Sequence, residues 1–317
     1  MTIASEITRI NNNIAAAYTA CNNKGATMPQ TQNSANLATA ISSIPSGGGS
    51  FIGIPREVSS QGVYQQPNSS FTFTLPSNVT DLSDYSLVRA FYLSGITSID
   101  LSSLTTLTGS YSLQNVCAEC NNLTYVDLSG LKIIDLKSFG YTFEAAFNRC
   151  MNLTNVDLSN LETITSSYDM GGYVFSCCFQ NTKLSSFTFN KLKTIRCNYA
   201  LDRMFSLCNN LTTVRFPLLN VIQQTPSGFT SNGFCLYRIF RNCRNLSDVY
   251  FNSLTTQSFG SLTNQFQDML SSTGTTVTHT LHFPSNLQST ISGLTGYPLF
   301  GGTSGYVVCA FDLDPTE

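Results

Sequence analysis

Apolar residues recur through the middle of this sequence in one fixed order. In four close copies a Cys is followed three residues later by a Leu, and two weaker copies begin at Ile96 and Leu184; more apolar residues come 3, 5, 8 and usually 11 residues after this anchor. The Leu position is occupied in six successive copies, at intervals of 27, 30, 31, 27 and 35 residues, by Ile96, Leu123, Leu153, Leu184, Leu211 and Leu246. Six copies in register indicate an internal repeat, in which each unit buries its apolar face against its neighbours.

Each copy contains a short alternation of apolar and polar residues. In the second copy Val126 and Leu128 alternate with Tyr125 and Asp127, so the two pairs lie on opposite faces of an extended chain. Without hairpin turns between copies, such strands stack in parallel. The pattern predicts strands at 99–101, 126–128, 156–158, 187–189, 214–216 and 249–251.

The repeat also predicts how the core is built. One apolar ladder is expected from Leu101, Leu128, Leu158, Phe189, Phe216 and Phe251. A second is expected from Leu104, Leu131, Leu161, Leu192, Leu219 and Leu254. On the returning side of the coils, the residues expected to close the core are Phe147, Phe179, Phe205 and Phe240. The predicted fold class is a β-rich solenoid with one short parallel strand per repeat of 27–35 residues.

The flanks of the repeats differ from them in composition. Ile7, Ile10, Ile14 and Ala17 fall on one face of a predicted helix, and a second short amphipathic segment contains Leu37 and Ile41. A Gly/Ser run follows. The predicted domains are a helical attachment segment (1–45), a linker (46–50), a β-rich N-terminal cap (51–89), the solenoid (90–275) and a C-terminal α/β cap (276–317).

The repeat resembles the BspA-type leucine-rich repeat. The resemblance is carried by the string Cys150-Met-Asn-Leu153-Thr-Asn-Val156-Asp-Leu158 and its copies, over about half of the chain. It implies a leucine-rich-repeat solenoid of the kind found in bacterial surface and adhesive proteins and in phages. The N-terminal segment, which ends in the glycines of 46–50, is similar to that of tail and other virion proteins of phages of Gram-positive gut bacteria. The segment around Phe283 and Phe300 is similar to the terminal piece of leucine-rich-repeat proteins in such phages.

Composition narrows the functional classes. Only 11% of residues are charged and the formal net charge is -2. Nucleic-acid binding needs a basic surface, and this composition does not supply one. No stretch predicts a membrane span, and the first residues lack a basic segment followed by an apolar run. If the protein works outside its cell of origin, we therefore expect it to leave by assembly or lysis.

Cysteines and histidines are the residues that could signal a reactive or metal site. Cys117 and Cys120 have zinc-knuckle spacing, but Cys120 occupies the repeated Cys position and is expected to be a buried, reduced core residue. The same is expected of Cys150, Cys208 and Cys243. His279 and His282, three residues apart, fall on opposite faces of a strand and are not expected to share a metal. No cofactor and no metal site are predicted.

The outward positions of the strands give the candidate binding face. It consists of Asp100, Tyr125, Asp127, Asn155, Asp157, Thr188, Arg215, Asp248 and Tyr250. Three Asp at strand spacing repel one another by about 0.8 kcal/mol per adjacent pair even at the dielectric constant of water. A ligand, a cation or hydrogen bonds from nearby hydroxyls could offset this repulsion, and simple solvation is the alternative.

No set of residues in the sequence matches a known catalytic arrangement, so no enzymatic activity is predicted. We expect a structural protein of a virion, assembled in the cytoplasm of a bacterial host, in a tail, fibre or other appendage. Its N-terminal segment (Ile7, Ile10, Ile14, Leu37 and Ile41 foremost) would contact a copy of the chain or another virion protein. Its solenoid would bind a host-surface protein or glycan. A bacterial cell-surface adhesin is the alternative, and a glycan-acting virion enzyme is a third possibility, needing two carboxylates in a groove.

Overall fold

The structure is a computed structural model. It describes residues 3–23, 29–37, 57–58, 64–65, 70–137, 140–167, 172–223, 233–260 and 263–314. The chain forms two compact units, Met1–Gly49 and Ser50–Glu317, which divide inside the Gly/Ser segment of the sequence. The described residues include no helix long and apolar enough to cross a membrane.

The first unit is built around one helix, α1 (Ile3–Asn23). Tyr18 and Cys21 are its buried side chains, and Ile14 and Leu37 pack against them. The Tyr18 hydroxyl donates a 2.8 Å hydrogen bond to the Asn33 carbonyl oxygen. The segment 29–37 therefore lies against the C-terminal half of the helix, and α1 is the helix predicted from the isoleucine spacing. Ile41 lies outside the described residues.

The second unit is a stack of chain coils whose strands pair in parallel, a β-solenoid. The first wall, named the strand wall, begins with a four-stranded sheet: β3 (Phe71–Thr74), β4 (Ile96–Asp100), β6 (Tyr125–Asp127) and β8 (Asn155–Asp157). It continues with a five-stranded sheet: β10 (Ser186–Thr188), β12 (Thr213–Arg215), β14 (Asp248–Tyr250), β15 (His279–Pro284) and β16 (Val307–Leu313). The predicted parallel stacking is confirmed, and it extends on both sides of the predicted range 90–275.

A second wall of parallel strands was not predicted. It comprises β5 (Thr106–Leu107), β7 (Ile133–Leu136), β9 (Thr163–Ser166), β11 (Thr194–Arg196) and β13 (Val221–Ile222). Each of the first five repeats therefore contributes two short strands where the sequence predicted one, and the sixth contributes one among the described residues. A short antiparallel pair, β1 (Glu57–Val58) and β2 (Tyr64–Gln65), precedes the stack. A 3-10 turn (Ser285–Leu287) and a one-turn helix, α2 (Gln288–Ser292), lie between β15 and β16.

The predicted strand bounds were one residue or more too late. In three coils the strand ends at an Asp whose carboxylate accepts a hydrogen bond from the backbone N–H two residues further on. In one of them, Asp127 Oδ1 accepts from the Ser129 N–H at 2.9 Å. The next residue, Leu128, lies past the strand at the corner of the coil, but its N–H still donates to the Asp157 carbonyl oxygen of the following coil at 2.9 Å. The apolar residue keeps its inward position while the chain direction changes.

The third side of each coil, named the turn wall, has an unusual backbone. Every fourth residue in it adopts a positive φ although it is not glycine, as at Tyr111 (57°), Asn115 (53°) and Glu119 (61°). Alternate backbone N–H groups donate to the next coil, as from Asn115 to the Glu144 carbonyl oxygen at 2.9 Å. The N–H groups between them donate to the carbonyl oxygen three residues earlier in the same coil. Left-handed conformations of such residues cost on the order of 1 kcal/mol each, and these inter-coil hydrogen bonds offset that cost.

The core consists of the predicted ladders. All members of both apolar ladders, and the four turn-wall phenylalanines, are at most 3% exposed. Phe189, Phe216 and Phe251 stack at ring-centroid distances of 4.9 and 5.0 Å. The stack continues beyond the predicted repeats through Phe283 and Phe311, at 5.5 and 5.8 Å. The C-terminal segment thus caps the solenoid by extending its core.

Candidate binding face

The residues of the predicted binding face lie on the strand wall in two groups. Asp100, Asp127 and Asp157 are in register with one another, and so are Thr188, Arg215 and Tyr250. No strand pairing joins the two groups, since β8 and β10 belong to different sheets. The break coincides with Phe187, whose bulky ring takes the place that Val156 and Val214 occupy in the neighbouring coils and packs on Phe179, Phe189 and Phe205.

The aspartate group has an internal structural explanation. One oxygen of each carboxylate accepts a 2.9 Å hydrogen bond from the backbone N–H two residues on, at Ser102, Ser129 and Ser159. The Tyr125 hydroxyl donates to Asp127 Oδ2 at 3.1 Å. Partial burial, and then the charge of Asp127, raise the pKa of Tyr125 to about 12. The hydrogen bonds that hold these side chains offset the repulsion within the aspartate column.

The second group forms a three-layer stack. The Arg215 guanidinium carbon lies 3.9 Å from the centroid of the Tyr250 ring, and that ring stacks on the His282 imidazole at 4.2 Å with an interplanar angle of 4°. Arg215 is exposed, whereas Tyr250 and His282 are half-buried. Since cation–π and aromatic contacts of this kind each stabilise by about 0.5–1.5 kcal/mol, the stack fixes the orientation of the Arg215 side chain.

His282 is held between two carboxylates. Its Nδ1 lies 2.9 and 3.0 Å from the Asp312 oxygens, and its Nε2 lies 3.1 Å from Asp248 Oδ1. Both contacts are hydrogen bonds when both ring nitrogens carry a proton. Partial burial raises the pKa of Asp248, but hydrogen bonds from Ser247 and His282 outweigh this and hold it below the usual aspartate range.

His279 points the other way, as its spacing from His282 predicted. It is buried, and its Nδ1 lies 2.5 Å from the Leu246 carbonyl oxygen. The two imidazoles therefore cannot share a ligand. Within the part of the chain that the structure describes, no three or more His, Cys, Asp or Glu side chains are placed to hold one metal ion.

The repeated cysteines lie in the core, as predicted. Each thiol donates to a carbonyl oxygen of the preceding coil: Cys120 to Phe91 at 2.8 Å, Cys150 to Cys117 at 3.0 Å, Cys208 to Phe179 at 3.0 Å and Cys243 to Phe205 at 2.8 Å. Burial raises the pKa of the Cys150, Cys208 and Cys243 thiols. These thiols are protonated at neutral pH and are not poised as nucleophiles.

Sequence reasoning missed a column of aromatic rings on the turn wall. This tyrosine column consists of Tyr85, Tyr111, Tyr141, Tyr173 and Tyr199, one from each of five successive coils. Successive ring centroids are 5.0, 5.6, 4.9 and 4.8 Å apart. Tyr85 at the end of the column is 63% exposed, and the other four rings are half-buried. The signal was present in the sequence, because each Tyr precedes a buried Leu or Phe by two residues and a buried Phe or Cys by six.

The tyrosine column is a neutral surface. Burial, followed by the neighbouring phenols and by Glu144, raises the pKa of Tyr111, and burial likewise raises those of Tyr141, Tyr173 and Tyr199. Each ring therefore presents an uncharged edge and a hydroxyl group at the regular spacing of the coils. Rings stacked in this way have little rotamer freedom left to lose when a partner binds.

The predicted attachment residues differ in exposure. Ile7 and Ile10 are 54% and 46% exposed, whereas Ile14 and Leu37 are half-buried and packed together with Tyr18 and Cys21. Among the described residues of this unit, the cover of the apolar stripe of α1 thus lies over its C-terminal half.

No family model and no curated protein matches the chain. Among solved structures, the chain is similar to a leucine rich cell surface protein from Faecalibacterium prausnitzii, with 12% identity over 73% of this chain and 86% of that one. The TM-score is 0.15, so the two structures do not superpose. The assignment as a leucine-rich-repeat solenoid therefore rests on the repeat and on the parallel walls described above.

Proposed function

We propose that this chain is a non-enzymatic structural protein of a virion, in which the N-terminal unit attaches the chain to the particle and the solenoid contacts the host surface. The observation that carries the proposal is the tyrosine column. Tyrosines supply rigid, amphipathic contact area and are enriched in binding surfaces. Here five of them, pre-ordered by stacking, run along a stiff scaffold.

The surface chemistry supports a binding role over a catalytic one. His282, the half-buried histidine of the strand wall, has both nitrogens engaged by Asp248 and Asp312, so neither nitrogen is available as a general base. Burial raises the pKa of the Cys150 and Cys243 thiols. These groups stabilise the fold and hold the exposed side chains in place.

The virion setting is supported by composition and by the N-terminal segment. The charged fraction of the whole chain is 11%, less than half that of ordinary globular domains, so uncharged polar residues cover much of its surface. The segment 1–45 resembles the N-terminal segment of phage tail and other virion proteins, and its helix has two exposed isoleucines. A cell-surface adhesin would present the same solenoid, and the following experiment separates the two settings.

The location test uses a culture of the strain that carries the gene, grown to lysis. Particles purified on a density gradient and the cell-envelope fraction are each probed with an antibody against the solenoid. The protein in the particle fraction at a fixed ratio to the major capsid protein supports the proposal. Its presence only in the envelope fraction overturns the virion setting in favour of the adhesin.

The binding test compares two variants of the purified chain. Tyr111→Ser with Tyr173→Ser removes two rings of the tyrosine column, and Tyr306→Ser is the control, because it makes the same change at an exposed tyrosine outside both the column and the candidate binding face. Cosedimentation with intact host cells is expected to fall at least tenfold for the column variant and to be unchanged for the control. Equal binding by all three proteins would remove the tyrosine column as the contact surface.

A further inference from the structure

The apolar residues of α1 are spaced as in a coiled coil. Ile3, Ile7, Ile10, Ile14, Ala17 and Cys21 follow one another at alternating intervals of four and three residues. A repeat of 3.5 residues keeps one seam facing a partner helix along a supercoil. A helix that only covers its own globular unit needs no such strict alternation, and commonly has a broader apolar face.

The unit itself covers only part of this seam. Tyr18 and Cys21 are 1% and 5% exposed beneath the segment that contains Leu37. Toward the N-terminus the exposed fractions rise to 46% at Ile10 and 54% at Ile7. Two neighbouring isoleucines on the same seam are therefore left half exposed by the described residues of the unit.

The remaining surface of the helix indicates what kind of partner it meets. Glu6 and Arg9 are its two charged residues, and Asn11, Asn12 and Asn13 follow them. A helix that lies on a membrane needs a basic polar face, which α1 lacks. A strict seam of β-branched residues is complementary to an identical seam, because the knobs of one helix fit the holes of the next.

We infer that α1 forms a parallel three-stranded coiled coil with two further copies of this chain. Ile at both core positions of the heptad, here Ile7 and Ile14 at one and Ile10 at the other, shifts the preference from two strands to three or four. Closed three-fold symmetry makes the helices parallel, so three solenoids extend from one bundle. This trimer rests on the proposed attachment role and names the partner of α1. If the trimer does not form, attachment of α1 to another virion protein still stands.

The test is the mass of the purified full-length chain in solution, measured by multi-angle light scattering. The wild-type protein is expected to have the mass of three chains. Ile7→Asn combined with Ile10→Asn places polar groups at two adjacent levels of the seam and is expected to lower the mass threefold. Ala16→Asn is the control, since Ala16 is exposed and lies off the seam, and it is expected to leave the trimer intact.

Folding is checked in the same samples. The solenoid is a compact unit of its own, so its unfolding midpoint is expected to be equal in all three proteins. A wild-type mass of one, two or four chains would overturn the trimer, and so would a trimer that survives the double substitution. A monomer that still enters virions would refute the coiled coil and leave attachment through another virion protein standing.

Discussion

The Cys150 thiol donates a 3.0 Å hydrogen bond to the carbonyl oxygen of Cys117, one coil earlier in the stack. The same relationship recurs at three other repeated cysteines, so it belongs to the repeat and not to one site. At two equivalent positions a threonine hydroxyl donates within its own coil instead, Thr182 Oγ1 to the Phe179 carbonyl oxygen and Thr273 Oγ1 to that of Leu270, both at 3.0 Å. The repeat therefore needs a small residue that can donate a hydrogen bond.

This relationship predicts that a hydroxyl replaces the thiol better than a methyl group does. Cys150→Ser keeps the donor and is expected to lower the free energy of unfolding by at most about 1 kcal/mol, whereas Cys150→Ala loses a hydrogen bond and packing and costs about 1–2 kcal/mol. Denaturant unfolding of both variants measures the difference. If Ala were tolerated better than Ser, the thiol would be only an apolar filler.

Stability is expected to fall at alkaline pH. Burial raises the pKa of a set of thiols above the unfolded value, so the native state keeps protons that the unfolded state loses. This set comprises Cys150, Cys178, Cys197, Cys208, Cys235 and Cys243. Their stabilisation is fully present below the unfolded pKa of about 8.5 and is lost above it, at about 1.4 kcal/mol per pH unit for each thiol.

Unfolding under reducing conditions at a series of pH values checks this slope. Replacing Cys208 and Cys243 by Ser is expected to reduce the slope by about 2.7 kcal/mol per pH unit, since each substitution removes one titrating group. A slope that does not change with the number of buried thiols would assign the alkaline loss to other groups.

A close approach between coils makes Gly130 sensitive to substitution by a residue with a side chain. A Cβ added at Gly130 would lie 1.8 Å from the Ser102 carbonyl oxygen and 2.8 Å from that of Leu104, both backbone atoms of the preceding coil. Gly130→Ala is therefore expected to lower the free energy of unfolding by about 2–3 kcal/mol or more. Gly293→Ala is the control, because its nearest neighbour would be 3.4 Å away. Equal stability of the two variants would show that the coils separate easily at this corner.

The strand wall could be predicted from the sequence because it repeats an alternation. Val126 and Leu128 point inward and Tyr125 and Asp127 outward, as the period of two requires. The second wall was missed because its strands have two to four residues, and each coil gives it a single recurrent apolar residue, such as Ile134 or Ile164. A single apolar residue in each coil gives no alternation of apolar and polar positions from which a strand could be predicted.

The turn wall was beyond sequence reasoning for a different reason. A positive φ is normally signalled by Gly or Asn, but here it falls on residues such as Tyr111, Glu119 and Arg149. Hydrogen bonds to the next coil select this conformation, and they exist only once the coils are stacked. The contacts of His282 are likewise between coils, since Asp248 lies 34 residues and Asp312 lies 30 residues away along the chain.

In the proposed function the N-terminal unit attaches the chain to the particle and the solenoid contacts the host. Particle incorporation of a truncated chain tests this division most directly. Deleting residues 1–45 leaves the compact unit Ser50–Glu317, which is expected to fold and remain soluble. Purified virions from cells that produce the truncated chain in place of the full one are then assayed for it by immunoblotting. We expect the truncated chain to be folded and to be absent from the particles. Incorporation at the level of the full-length chain would contradict it and make the solenoid the docking surface.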